Sequence, residues 1–149
     1  MARKGRFRFL RPIKVIFRDL DGMRHVNHAV YLTYCEAARN EYWMRVTGIT
    51  KVEEYDFVLA EATARYHAAA RLGDELVVGC RVTEIRNSSF LMEHEIRNER
   101  SGELVAEVHT VQVMYDYDAE RSMPMSPQRR RQIERFEGRR VTALPKRAG

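Results

Sequence analysis

The sequence predicts an α+β fold, in which a five-stranded antiparallel sheet wraps around one long helix. A single strand-like segment is followed by one long stretch with helical periodicity, residues 28–47. Four more strand-like segments then follow without intervening helices, which is typical of antiparallel domains and not of βαβ units. A length of 149 residues suits one domain. We expect that domain to span residues 1–149, with a core at about 11–137 and basic, flexible ends.

The first strand is predicted at residues 11–18, where Ile13, Val15 and Phe17 alternate onto one face. The segment "DLDGMR" ends this strand, because Gly22 favours a turn.

Residues 28–47 predict a helix of roughly 30 Å at about 1.5 Å per residue. Asn27 suits the N-cap and Gly48 suits the C-terminal stop. Apolar residues recur every three or four positions and form one stripe: Tyr31, Tyr34, Cys35, Ala38, Tyr42 and Val46. Leu32 and Trp43 flank this stripe, so we expect the helix to be buried on more than one side.

Four further strands are predicted at 57–66, 75–85, 88–98 and 103–117, with hairpin-style turns at "RNSS" and "RNERSGE". In the last strand the apolar residues change parity near His109 and Thr110, which predicts a β-bulge there. The segment "MSPQRRRQIERFEG" predicts a short polar helix at the end of the domain.

The composition excludes several classes of protein. No apolar run approaches the ~20 residues of a membrane helix, and the N-terminus lacks the apolar stretch of a signal peptide. We therefore expect a cytoplasmic protein. Cys35 and Cys80 are far apart and have no CxxC spacing, so both are interpreted as reduced core thiols. His67, His94 and His109 lack ligand spacing, so no metal site is expected, and each is assigned to the surface or to a sheet face.

The net charge of +5 is unevenly distributed. Residues 1–14 and 126–149 together hold fourteen Lys and Arg and two acidic residues, a net +12, which leaves −7 on residues 15–125. Basic ends on an acidic body suit a phosphate-bearing ligand, a nucleic acid or an acidic surface, and equally suit solvated tails.

The segment "DLDGMRHVNHAVYL" places ionisable groups directly before the helix. Unpaired N–H groups and the helix dipole favour negative charge there, so a carbonyl that becomes an oxyanion would be stabilised. Asp21, seven residues before His28, could attack that carbonyl or activate water. Aspartates before helices also serve as caps or turn residues.

A longer stretch, "IFRDLDGMRHVNHAVYLTYCEAAR", resembles hotdog-fold thioesterases of the 4-hydroxybenzoyl-CoA thioesterase type. The resemblance rests on a D-x-D pair, a glycine-containing turn, an H-V-N element and a helix with E-x-A-R. In this chain they are Asp19–Asp21, Gly22, His25–Ala29 and Glu36–Arg39. The similarity continues through "FVLAEATARYHAAARLGDELVV" and "GELVAEVHTVQVMYD" and covers about residues 11–137.

The resemblance implies hydrolysis of an acyl-CoA thioester to an acid and a thiol, without a cofactor other than the coenzyme A of the substrate. Asp21 matches the catalytic carboxylate of the family, which would act as nucleophile or as general base. Asp19 matches the first aspartate of the pair, for which the expected role is structural. His28 matches the position whose backbone N–H meets the thioester oxygen. His25 and Asn27 match the H-V-N variant and are expected to bind substrate, although a buried, hydrogen-bonded structural role is equally open for each.

Three more residues are expected to bind substrate. Tyr31 follows the motif on the helix, and Glu61 on the second strand could face the helix across the site. Arg24 stands where relatives usually have glycine, and could narrow the site or bind a phosphate or carboxylate. The terminal arginines and those at strand ends, Arg65, Arg71 and Arg86, could also meet phosphate.

Other functions remain open on the sequence. The basic ends suit an acidic acyl-carrier protein as thioester donor, and Arg24 leaves room for a non-catalytic acyl-thioester binder. Nucleic-acid binding is disfavoured, because few aromatic residues interleave with the basic ends. Membrane insertion is not expected. Free sheet edges predict self-association to a dimer or tetramer.

Overall fold

A computed structural model describes residues 5–141 of the protein. Its elements occur in the order expected for the α+β fold. Their bounds are β1 Phe9–Lys14, α1 His28–Thr47, β2 Phe57–Tyr66, β3 Glu75–Ile85, β4 Ser89–Asn98, β5 Leu104–Asp116, β6 Arg121–Ser122 and α2 Pro127–Glu137. Short 3₁₀ turns at Phe17–Asp19 and Val52–Glu54 precede α1 and β2.

The sheet has the order β1-β3-β4-β5-β2, with all neighbours antiparallel, and β6 extends it by pairing with the end of β5. The long strands β1 and β2 therefore lie at opposite edges. The helix α1 packs on the inner face of this sheet, which is the hotdog arrangement implied by the resemblance.

The predicted helix is confirmed at both ends. The Asn27 side chain accepts a hydrogen bond from the Ala29 N–H, and Gly48 ends the helix at φ 79°. The stripe is buried from Tyr31 to Tyr42, whereas Val46 is half-buried. Trp43 is also fully buried and stacks on Phe90 of β4, with ring centroids 5.1 Å apart. The helix is thus buried beyond one stripe, as expected from its width.

Three expectations about strands are wrong. The first strand covers residues 9–14, and Phe17 lies on a 3₁₀ turn with its side chain exposed. The predicted bulge near His109 and Thr110 is absent from β5, whose pairing with β4 is continuous through both residues. Register shifts lie instead at the start of β5, where Ile96 pairs with Ala106 and Arg97 with Leu104, and on β2 between Leu59 and Glu61, opposite Gln112 and Val111 of β5.

This register brings polar side chains into the core. The buried face of β5 keeps one parity from Ala106 to Met114, so that it includes Thr110 and Gln112. The Gln112 amide donates to the Thr110 hydroxyl. His94 of β4 lies on the same inner face and is fully buried.

The core extends beyond its expected limits at both ends. Phe7 is buried, and Arg6 forms ion pairs with Glu93 and Glu95 of β4. At the other end Val141 is buried. The packed core therefore begins before residue 11. The prediction of flexible, basic ends falls largely on residues 1–4 and 142–149, which lie outside the described range. No helix within residues 5–141 is long and apolar enough to cross a membrane.

Candidate active site at the start of α1

Asp21 lies in a tight turn that its own carboxylate helps to hold. The Asp21 N–H donates to the His25 carbonyl at 2.8 Å, which closes the turn. In return Oδ1 of Asp21 accepts from the Met23 N–H at 2.8 Å and from the His25 N–H at 3.4 Å. Within residues 5–141 no hydrogen bond engages Oδ2. One oxygen therefore fixes the carboxylate and the other is free for chemistry.

Asp19, the first aspartate of the pair, has the structural role expected for it. Its Oδ2 accepts from the Tyr34 hydroxyl at 2.7 Å and from the Ile16 N–H at 3.0 Å. Its carbonyl accepts from the Asn27 N–H at 2.9 Å. These bonds join the 3₁₀ turn, the N-cap and the second turn of α1.

The start of α1 leaves one backbone donor unpaired. Asn27 takes the Ala29 N–H on its side chain and the Val30 N–H on its carbonyl, both at 2.9 Å. The His28 N–H, the first of the helix, has no acceptor within residues 5–141. The helix dipole adds partial positive charge at this end. A carbonyl oxygen placed here would gain both interactions.

A cavity of about 400 Å³ opens at this helix end. Four of the predicted site residues line it: Asp21, His25, His28 and Tyr31. Residues at the end of β2 and just after it form the other wall: Tyr66, His67, Ala68 and Ala69. The carboxylate and the helix N-terminus therefore share one cavity.

Two tyrosines connect α1 to this wall. The Tyr31 hydroxyl accepts from the Ala70 N–H at 3.0 Å, and the Tyr66 hydroxyl donates to the His28 carbonyl at 2.8 Å. Their rings lie 5.4 Å apart. Burial is the main cause that raises the pKa of Tyr31, so its phenol stays protonated. These contacts fix the first turn of α1 against the end of β2.

Three predicted substrate-binding residues do not line the cavity. Asn27 is the N-cap. Arg24 is exposed in the turn and adopts φ 66°, the left-handed region that glycine favours. Glu61 is exposed, and its neighbour Ala62 pairs with buried Thr110 on the inner face. Strand alternation then turns Glu61 away from α1, contrary to expectation.

The sequence analysis missed His67 as a cavity residue. Its Nε2 lies 3.1 Å from Oε2 of Glu107 on β5, and this contact lowers the pKa of the Glu107 carboxyl. The two residues are forty positions apart. Only the pairing of β2 with β5 brings them together, so no local pattern in the sequence indicates the pair.

The remaining histidines and the two cysteines do not line this cavity. Within residues 5–141 no group of three or more His, Cys, Asp or Glu side chains could hold a metal ion. Cys35 and Cys80 are free and buried, as predicted, and burial raises the pKa of the Cys35 thiol to about 12. His109 is exposed on β5, whereas His94 lies on the inner sheet face.

The family model of the Thioesterase-like superfamily matches residues 15–133, which include the turn, all of α1 and the strands β2 to β6, but not β1. The chain belongs to the Thioesterase-like superfamily. This membership confirms the hotdog-thioesterase resemblance stated from the sequence.

Among curated members of the superfamily, the chain is similar to the acyl-CoA thioesterase YbgC of Helicobacter pylori, with 32% identity over 83 residues. That match covers 56% of this chain and only 62% of the relative. The long-chain acyl-CoA thioesterase FadM of Escherichia coli is 26% identical over 132 residues, which cover 83% of this chain and 96% of FadM.

Two solved structures of thioesterases have the same fold. A Thermus thermophilus thioesterase, complexed with coenzyme A and Zn, superposes on this chain with a TM-score of 0.81 at 36% sequence identity. The superposition covers 89% of this chain and 96% of the Thermus chain. A 1,4-dihydroxy-2-naphthoyl-CoA thioesterase from Synechocystis gives a TM-score of 0.73 at 25% identity, with 84% and 94% covered.

Proposed function

We propose that the protein hydrolyses acyl-CoA thioesters, with Asp21 as the catalytic carboxylate and the His28 N–H as the group that polarises the carbonyl. One observation carries the proposal: a single cavity contains a carboxylate with a free oxygen and a helix N-terminus with a free N–H. The superfamily membership and the names of the similar proteins support the substrate class.

In the reaction, the thioester carbonyl oxygen accepts a hydrogen bond from the His28 N–H. As the carbonyl carbon becomes tetrahedral, negative charge develops on that oxygen and is stabilised by the N–H and the helix dipole. This hydrogen bond is stronger in the transition state than with the bound substrate. It therefore accelerates the chemical step.

The free oxygen of Asp21 has two possible roles. As a general base, it takes a proton from water while the water oxygen bonds to the carbonyl carbon; the C–S bond then breaks and the proton passes to the leaving thiolate. As a nucleophile, Oδ2 bonds to the carbon and expels the thiolate, and water later cleaves the mixed anhydride. Hydrolysis in ¹⁸O-labelled water under single-turnover conditions identifies the nucleophilic route when label appears in Asp21, because water that attacks the aspartyl carbonyl of the anhydride leaves its oxygen there; trapping the anhydride with hydroxylamine detects the route in which water attacks the acyl carbonyl.

The main test measures thiol release from a panel of acyl-CoA esters. We expect activity in the wild type and its near-complete loss in Asp21→Asn, which keeps the hydrogen bonds of Oδ1. Glu61→Gln is the matched control, because it removes the same charge from a carboxylate that faces away from α1. Equal activity of Asp21→Asn and Glu61→Gln would reject Asp21 as the catalytic group.

The same panel decides between the alternatives. Turnover of acyl-carrier-protein thioesters without turnover of CoA esters would identify the carrier protein as the substrate donor. Binding of CoA esters without any thiol release would identify a non-catalytic binder. The cytoplasm is the compartment we propose from the sequence.

We also propose that the protein self-associates through β2. This edge strand is ten residues long and exposed along most of its length, with Leu59 and Tyr66 about half exposed. An unpaired edge of this length favours pairing with a second strand. Sedimentation equilibrium tests the proposal, and a monomer at micromolar concentration would contradict it.

A further inference from the structure

Arg39 of α1 is a buried cation whose side chain forms no hydrogen bond or ion pair within residues 5–141. Only 4% of the residue is exposed. Its Nε has no hydrogen-bond acceptor, and no carboxylate within residues 5–141 forms an ion pair with its guanidinium. Burial lowers the pKa of this group, although an arginine keeps its charge. Buried charges in proteins are normally paired, because the loss of hydration is otherwise uncompensated.

Arg39 lines two cavities between α1 and β2. The smaller has a volume of about 110 Å³ and is mainly apolar, with walls that include Leu32, Leu59 and Val108. The larger has about 670 Å³ and shares Arg39 and Leu59 with the smaller one. Arg39 is therefore almost entirely buried, yet it lines two cavities that are open to the surface.

These cavities follow the same side of α1 as the candidate active site. His28 lines the active-site cavity, and Leu32, one helical turn later on the same side, lines the smaller of the two cavities. On the opposite wall the antiparallel β2 contributes Tyr66 to the first cavity and Ala62 and Leu59 to the second. No residue in the described range lines both cavities, and the Tyr66–His28 hydrogen bond joins β2 to α1 at the first of them, so an acyl chain whose carbonyl meets the His28 N–H extends between α1 and β2 only if the Tyr66 side chain turns aside.

The distance to Arg39 suits an acyl chain of moderate length. Eleven residues of helix separate His28 from Arg39, about 16 Å at 1.5 Å per residue. Side chains on a helix lean towards its N-terminus, which shortens the span from the carbonyl position to the guanidinium.

We propose that Arg39 binds the terminal carboxylate of the acyl group, so that the preferred substrates are ω-carboxyacyl thioesters, the monothioesters of dicarboxylic acids. This inference rests on the proposed function and specifies its substrate class. A guanidinium matches a carboxylate in charge and in its forked hydrogen-bond geometry. The apolar walls between the two sites suit the methylene chain.

The other charged groups at these walls, all of them carboxylates, are compatible with this assignment. Glu36 lines both cavities but is exposed, so water screens its charge more than that of Arg39. Glu53 and Asp118 line only the larger cavity. Within the smaller cavity, Arg39 is the buried charge among the lining residues.

The test compares suberoyl-CoA with octanoyl-CoA, which differ only in the terminal carboxylate. We expect the wild type to favour suberoyl-CoA in kcat/KM, and Arg39→Met to lose about tenfold to hundredfold on this substrate, mostly through KM, the range for a charge-assisted hydrogen bond. Octanoyl-CoA should be affected little. Glu36→Gln, which removes a charge at the same cavities, should keep the preference.

Equal wild-type kcat/KM values for the two esters would overturn the inference, as would an equal loss on both in Arg39→Met. If Arg39→Met does not fold, competitive inhibition of the wild type decides: suberate should inhibit more strongly than octanoate. The proposed function is judged separately. If no ester is hydrolysed, titration calorimetry of both esters into Asp21→Asn still tests Arg39, and equal affinities would reject it.

Discussion

The free N–H of His28 can be deleted without changing the helix, which allows a direct test of its role. His28 is the first residue of α1, where proline is well tolerated because the N–H has no intrahelical acceptor. The preceding residue, Asn27, has φ −59° and ψ 137°. This is the extended conformation that a residue before proline prefers. His28→Pro therefore fits the existing backbone.

The expected effect is on catalysis and not on stability. This N–H makes no hydrogen bond to any residue between 5 and 141, so we expect the free energy of unfolding in urea to change by less than about 0.5 kcal/mol. The oxyanion loses its donor, and removal of one such donor costs about 10²- to 10³-fold in kcat, or roughly 2.7–4 kcal/mol.

His28→Ala is the matched control, because it removes the imidazole and keeps the N–H. Thiol release by both variants, measured at saturating acyl-CoA, separates the contribution of the backbone N–H from that of the imidazole. Equal kcat values for His28→Pro and His28→Ala, with both proteins folded, would refute the assignment of the N–H to the oxyanion.

Two other predictions concern stability. Arg24→Gly should raise the free energy of unfolding by up to about 1 kcal/mol, because glycine adopts φ 66° without strain; a lower urea midpoint would contradict this. Burial lowers the pKa of His94 to about 3, below its unfolded value near 6.5. Between pH 3 and pH 6.5 the unfolded chain therefore binds more protons at His94 than the folded chain does. The free energy of unfolding is largest above pH 6.5 and falls by about 1.4 kcal/mol per pH unit as the pH drops towards 3. Urea midpoints measured across that range should fall less steeply in His94→Gln, and identical slopes would exclude His94 as the cause.

The sequence predicted those features whose signals are local. Asn27 and Gly48 act on backbone within a few residues of themselves, and the helix they delimit has the predicted bounds. The strands β2 and β3 also match, because turn residues and two-residue alternation are read over short windows. The catalytic candidates Asp21 and His28 could be named for the same reason, since the turn and the helix start are consecutive in the chain.

Features that depend on strand pairing were predicted poorly. The apolar pattern of β5 indicated a change of face near Thr110, whereas pairing with β4 keeps Thr110 and Gln112 inside. The same pairing decides that Glu61 turns away from α1 and that His67 reaches the active-site cavity beside Glu107.

The sequence by itself determined the order of the elements, the limits of α1 and the residues at its start, because short-range backbone preferences set them. The tertiary structure decided which polar groups meet across the sheet and that Arg39 is buried without an ion pair to any residue in the range 5–141. Register is fixed by the simultaneous pairing of strands distant in the chain, and no short window of sequence contains that information.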